Sequence, residues 1–169
     1  EVALDLIKST GATGMTVSAV TCGGEPAPFA HDGNRLRITL TQPATAGGEV
    51  SCTTTYRGIP AGGLRILNNI HGERTAFSEN WPDNARHWLP MIDHPYDKAT
   101  GELIVTAPAH YQVVSNGLLV EETDLGDGRR RTHWKQSVPI ASWLYAVGIA
   151  RFAVHHAGSA AGVPLQSWV

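Results

Sequence analysis

The chain has 169 residues, 42% of them apolar and 17% charged, with a formal net charge of −2. That length and balance suit one globular domain, or two small fused subdomains sharing a core. No basic block exceeds Arg129–Arg131, which argues against a nucleic-acid partner, and the longest apolar run, 138–150, is broken by Pro139 and Gly148 and is too short for a bilayer span of ~20 residues.

Taken from the N-terminus, short β-type runs recur between turn signals over residues 2–7, 15–21, 35–41, 50–56, 64–67, 103–106, 111–115, 130–135 and 143–154. Such spacing indicates an all-β sandwich. The turns agree, because Asp32-Gly33, Gly47-Gly48, Asn116-Gly117 and Asp127-Gly128 supply residues that tolerate positive φ. Within 35–40, Leu36, Ile38 and Leu40 share one strand face and Arg35, Arg37 and Thr39 the other, so one side should meet a core. Within 50–56, Val50, Cys52, Thr54 and Tyr56 alternate with an exposed face of Ser51, Thr53 and Thr55. The first run opens at the very start of the chain, so a trimmed N-terminus is expected and the compartment stays open, with export one option. Cys22 and Cys52 are the only cysteines, and neither belongs to a CxxC pair; they either form one disulfide, if the protein is exported, or stay as two buried thiols.

The second part of the chain differs in texture. Residues 77–152 hold four of the five tryptophans, and the GIPAGG run at 58–63 reads as a connector, so sub-parts of about 1–75 and 76–169 are expected. Between Asn80 and Lys98, Pro82, Pro90 and Pro95 each remove a backbone donor and restrict the preceding residue. A regular strand cannot pass through that segment.

Catalytic strings are missing. No HExxH pair of helical histidines is present to ligate zinc, and no Glu directly follows a His. Ser159, in GSAAG, lies beside the first glycine and misses the GxSxG elbow, while the Gly126-Asp127-Gly128 turn lacks a phosphate-binding third glycine. His87, Asp93 and His94 cluster in sequence but read more simply as turn residues, and His155-His156 as solvent-facing.

Ala85, Arg86, Trp88, Pro90, Asp93, Pro95, Asp97, Lys98, Ala99 and Thr100 form an ARxWxPxxDxPxDKAT pattern that resembles the N-terminal domain of M1-family zinc aminopeptidases. Four further stretches resemble the same family in order: TTTYRGIPAGGL at 53–64, Ser115-Asn116-Gly117, Trp134 with PIASWLYA at 139–146, and Gly162-Val163-Pro164-Leu165. Met91 stands where many members have Cys, and His94 where they have an acidic residue, as in a DHP-bearing bacterial-type branch.

The resemblance implies a saddle-like β-sandwich of two fused sub-sandwiches, a single noncatalytic N-terminal domain over 1–169. It also implies a zinc-bearing catalytic domain beyond Val169 that this domain packs against, with no cofactor of its own. The expected partners are that catalytic domain and the N-terminus of a peptide substrate, whose pocket the domain helps shape. Counting back from Asp93, the family's amine-contacting position falls at Glu79, with Asn80 beside it, and a carboxylate pairs well with a protonated α-amine. Arg86, Asp93 and Lys98 are expected to form a partly buried charge network that fixes this loop. The alternative is a carbohydrate- or protein-binding β-sandwich without peptidase activity, using Trp81, Trp88 and Trp134 as an exposed aromatic platform.

Overall fold

The computed structural model describes all 169 residues, and the chain is nearly all strand and turn. In order the strands are β1 (Val2–Asp5), β2 (Gly14–Cys22), β3 (Glu25–Pro26), β4 (Phe29–Asp32), β5 (Arg35–Ile38), β6 (Cys52–Ile59), β7 (Leu64–Asn68) and β8 (Arg74–Ser78). After a 3-10 turn at Ala85–His87 come β9 (Ala99–Pro108), β10 (Gln112–Ser115), β11 (Leu118–Asp124) and β12 (Arg129–Ile140), then a second 3-10 turn at Ser142–Leu144, β13 (Val147–Ala150), β14 (Val154–Ala160) and β15 (Val163–Trp168). The all-β expectation is met.

Two compact units form, and each is discontinuous in sequence. The first comprises Glu1–Arg65, Ser78–Thr100 and Val138–Ala146; the second comprises Ile66–Phe77, Gly101–Ser137 and Val147–Val169. The parting expected near residue 75 falls within β8.

Unit one holds two antiparallel three-stranded sheets, ordered β1-β5-β4 and β3-β2-β6. The alternation read in β5 appears directly, with Leu36 and Ile38 fully buried while Arg35 and Arg37 are exposed. Leu6, Met15, Val20 and Ala85 complete that interior. Thr53 and Thr55 of β6 face solvent, while Tyr56 is half-buried and donates its hydroxyl to Trp88 O at 2.8 Å. Burial pushes the Tyr56 phenol upward. Cys22 and Cys52 are register partners at one end of the β2–β6 pair and form a disulfide, which closes the choice that the cysteine spacing left open.

Unit two contains the sheets β10-β13-β8-β7 and β11-β12-β9 and the hairpin β14-β15. Its buried positions include Ala76, Ala107, Val113, Thr132, Val147 and Ala150. The exposed face of β12 is laced with polar cross-strand contacts: ion pairs from Arg131 to Glu121 at 2.9 Å and from Lys135 to Glu102 at 2.8 Å, and a hydrogen bond between His133 Nε2 and Glu102 at 2.9 Å. Those contacts, led by the Lys135 hydrogen bond, hold the Glu102 carboxyl below its ordinary value. The 129–131 arginines thus form a solvated hairpin face, paired with Asp127, Glu122 and Glu121.

Residues 143–154 do not form the single strand expected of them. Ser142–Leu144 turns, the strand begins only at Val147, and residues 151–153 leave it again.

Candidate functional site

Residues 79–98 run without strand structure, and the way they are held decides what they can do. Their prolines cannot donate, so the remaining backbone groups seek partners on β1 and the residues after it. Asp5 N donates to Met91 O at 2.7 Å, Met91 N to Asp5 O at 3.2 Å, and Ile7 N to Arg86 O at 2.9 Å. The loop is therefore tied to the end of β1 at Asp5 and to Ile7 just beyond it.

At its centre is a charged knot. Asp93 has a fully buried side chain, and its Oδ2 accepts both the backbone N and the guanidinium Nε of Arg86 at 3.0 Å each. Arg86 Nη2 also donates to Asp93 O at 3.0 Å, and Asp83 lies 3.6 Å from the same guanidinium. Asp93 N donates in turn to Asp5 Oδ2 at 3.0 Å, and Asp5 pairs with Arg35 at 3.4 Å. Two of the three expected members meet here. Lys98 does not: it is exposed and enters no ion pair, and the third place is taken by Asp5. Asp5 is the one charge in the apolar run VALDLI, a signal that a strand reading alone passes over.

Glu79 and Asn80 take opposite positions. Asn80 is 2% exposed; its Oδ1 accepts Trp88 Nε1 at 2.9 Å, its Nδ2 donates to Tyr145 O at 2.6 Å, and its carbonyl accepts Asn84 N at 3.0 Å. With both ends of its amide engaged, Asn80 is a positioning residue that hangs the 79–84 turn on the body of unit one. Glu79 is exposed, its backbone N donates to Gly63 O at 2.6 Å, and its Oε1 accepts Trp81 N at 3.2 Å. Its carboxylate enters no ion pair, so it is free to meet a cation.

The aromatic platform differs from the expected one. Trp88 is buried in the Asn80 contact, and Trp134 spends its Nε1 on Val113 O at 3.0 Å. Trp81 is exposed and packs instead, at a tilt, against Trp143, with ring centroids 4.8 Å apart. Nothing in the residue spacing joined these two, since sixty-odd residues separate them. His87 lies half-buried beside Gly62, its Nδ1 without a hydrogen-bond partner. Nowhere do three His, Cys, Asp or Glu side chains converge as metal ligands. Both cysteines are bonded to each other and Asp93 to Arg86, so the residues present do not fit a zinc centre.

Residues 17–144 match the family model described as the Peptidase M1 N-terminal domain. The chain belongs to that family. This is the noncatalytic domain type of M1 aminopeptidases, and the fold agrees: the M1 zinc metallopeptidase of Deinococcus radiodurans superposes with a TM-score of 0.82 at 22% identity, over 98% of this chain and 38% of that one. Glutamyl aminopeptidase of Homo sapiens is 30% identical over 138 residues, which is 75% of this M1 N-terminal domain and 14% of that protein. Transcription initiation factor TFIID subunit 2 of Gallus gallus is 33% identical over 102 residues, 56% of this chain and 9% of that protein. The M1 N-terminal domain thus spans a small part of the length of each relative.

Proposed function

We propose that this M1 N-terminal domain packs, within a longer polypeptide, on a zinc-bearing catalytic domain and presents Glu79 to the protonated amine of a peptide substrate. The observation that carries the reading is the contrast at residues 79 and 80. The loop's amide is buried and locked, while the neighbouring carboxylate is solvent-facing, accepts only Trp81 N and enters no ion pair, on a backbone fixed by Gly63 and Asn80. A preorganised lone carboxylate suits an ammonium, because charged hydrogen bonds are roughly twice as strong as neutral ones. Zinc is assigned to residues outside this chain, where it would activate the attacking water. Each unit leaves apolar side chains exposed, Ile59 in the first and Ile70 and Leu118 in the second.

The test is made on the full-length protein: metal content, and hydrolysis of amino-acyl anilides with a free or an acetylated N-terminus. The reading expects about one zinc per chain and cleavage of the free-amine substrate alone, abolished by a chelator. Equal cleavage of the acetylated substrate, or none of either with zinc bound, would overturn it.

A second reading, a noncatalytic scaffold, is favoured by one observation: the domain's sequence relatives include a protein named as a transcription factor subunit rather than a peptidase. Under that reading the full-length protein binds no zinc.

A further inference from the structure

The Trp81–Trp143 pair is left unexplained by packing. Trp81 is 62% exposed, so its contact with Trp143, the rings tilted by 58°, removes little of the indole from water. Yet the pair is held at the backbone on both sides. Trp81 O accepts Asn84 Nδ2 at 2.7 Å, and Trp81 N donates to the Glu79 carboxylate at 3.2 Å. Trp143 lies in the 3-10 turn between buried Ser142 and Tyr145, whose carbonyl holds Asn80 and whose hydroxyl donates to Ala99 O at 2.7 Å. A carboxylate with no cationic partner is thereby fixed at the backbone of an indole that is supported on one side by a second ring and open to solvent elsewhere. A carboxylate and an open aromatic surface recognise the same class of ligand, an organic ammonium. The first does so by charged hydrogen bonding, the second through the negative face of the ring.

We infer that Trp81, backed by Trp143, is a specificity-determining residue that adds a cation–π contact to the substrate ammonium held by Glu79. The inference rests on the reading of Glu79 as the amine-contacting residue. Indole is the best ring for this contact and a phenyl ring a weaker one, whereas an aliphatic side chain of similar bulk offers none.

The experiment measures steady-state kinetics of the full-length protein on a free-amine amino-acyl anilide for wild type, Trp81→Phe, Trp81→Leu and Glu79→Gln, at pH values below and above the amine's pKa. Because Trp81 is exposed, thermal melts of the Trp81 variants should coincide with wild type. Trp81→Leu should raise KM about threefold with kcat little changed while the amine is charged, and the ratio to wild type should fall towards one once the amine is neutral. Trp81→Phe should keep most of the wild-type KM. A leucine variant equal to wild type, or penalised equally with charged and neutral amine, would overturn the inference. If Glu79→Gln raises KM while Trp81→Leu does not, the aromatic contribution alone fails. If Glu79→Gln leaves KM unchanged, the reading of Glu79 fails beneath it.

Discussion

Asp93 and Glu79 stand fourteen positions apart in one loop and respond differently to the loss of a carboxylate. Asp93 is fully buried at its side chain, so Asp93→Ala takes the acceptor from Arg86 Nε and from the Arg86 backbone N and leaves the guanidinium only Asp93 O and Asp83, and breaking a buried pair from one side costs up to about 3–5 kcal/mol. Asn80→Ala strands Trp88 Nε1 and Tyr145 O at about 1–3 kcal/mol each, whereas an exposed change such as Glu79→Ala stays within about 0.5 kcal/mol. Denaturant melts of the three variants test the ranking, and a Glu79→Ala domain less stable than Asp93→Ala would reverse it. His87 adds a pH dependence. Burial first, then the Arg86 charge, holds its imidazole below the ordinary value, with Asp83 and Asp93 opposing. The unfolded chain takes up the proton at about pH 6.5 while the folded state resists it. The stability that this group contributes is full above about pH 6.5 and is lost as pH falls through the lowered folded value. His87→Gln should therefore narrow the stability difference between pH 7.5 and pH 5, and an undiminished difference would speak against this origin.

The connector GIPAGG shows how an element with no regular structure sets the site. Gly63 has φ +71, its carbonyl receives Glu79 N, and a Cβ there would overlap Asn84 O and come within 2.9 Å of Trp88 Cδ1. Gly63→Ala should destabilise the domain by about 2 kcal/mol or more, from left-handed strain and overlap together, which a melt of the variant would show. An unchanged midpoint would mean that the connector yields. At the β2–β6 pair, the Cys22–Cys52 bond closes a separation of 30 residues, so the Cys22→Ala/Cys52→Ala double variant should lose about 2–4 kcal/mol. Equal stability with and without reductant would contradict that. Strands with strict alternation, such as β5, were legible because one face had to be buried. β4 and β8 were not, since FAHD and RTAFS carry no such alternation and are specified by their neighbours in the sheet. β11 escaped notice although Asn116-Gly117 announces its turn, because most of LLVEETD is exposed and its pairing with β12 is anchored by cross-strand charges.

For the whole molecule, the family pattern at 85–100 carried the fold and the noncatalytic role, while its chemistry was only half visible. Arg86 and Asp93 announced a network by charge and spacing, but Asp5 entered from β1 through backbone pairing that no motif encodes. The count from Asp93 points to two candidate residues, 79 and 80, and burial and hydrogen bonding separate them into an exposed carboxylate without an ion pair and a locked amide. Trp143 joined Trp81 only through the folding of unit one. The account turns on Glu79 as the contact for a substrate amine. It is tested most directly by the KM of the full-length protein and its Glu79→Ala variant for a free-amine peptide, with thermal midpoints recorded alongside. The account predicts KM raised about tenfold or more, from loss of a charged hydrogen bond, at an unchanged midpoint. An unaltered KM would contradict it.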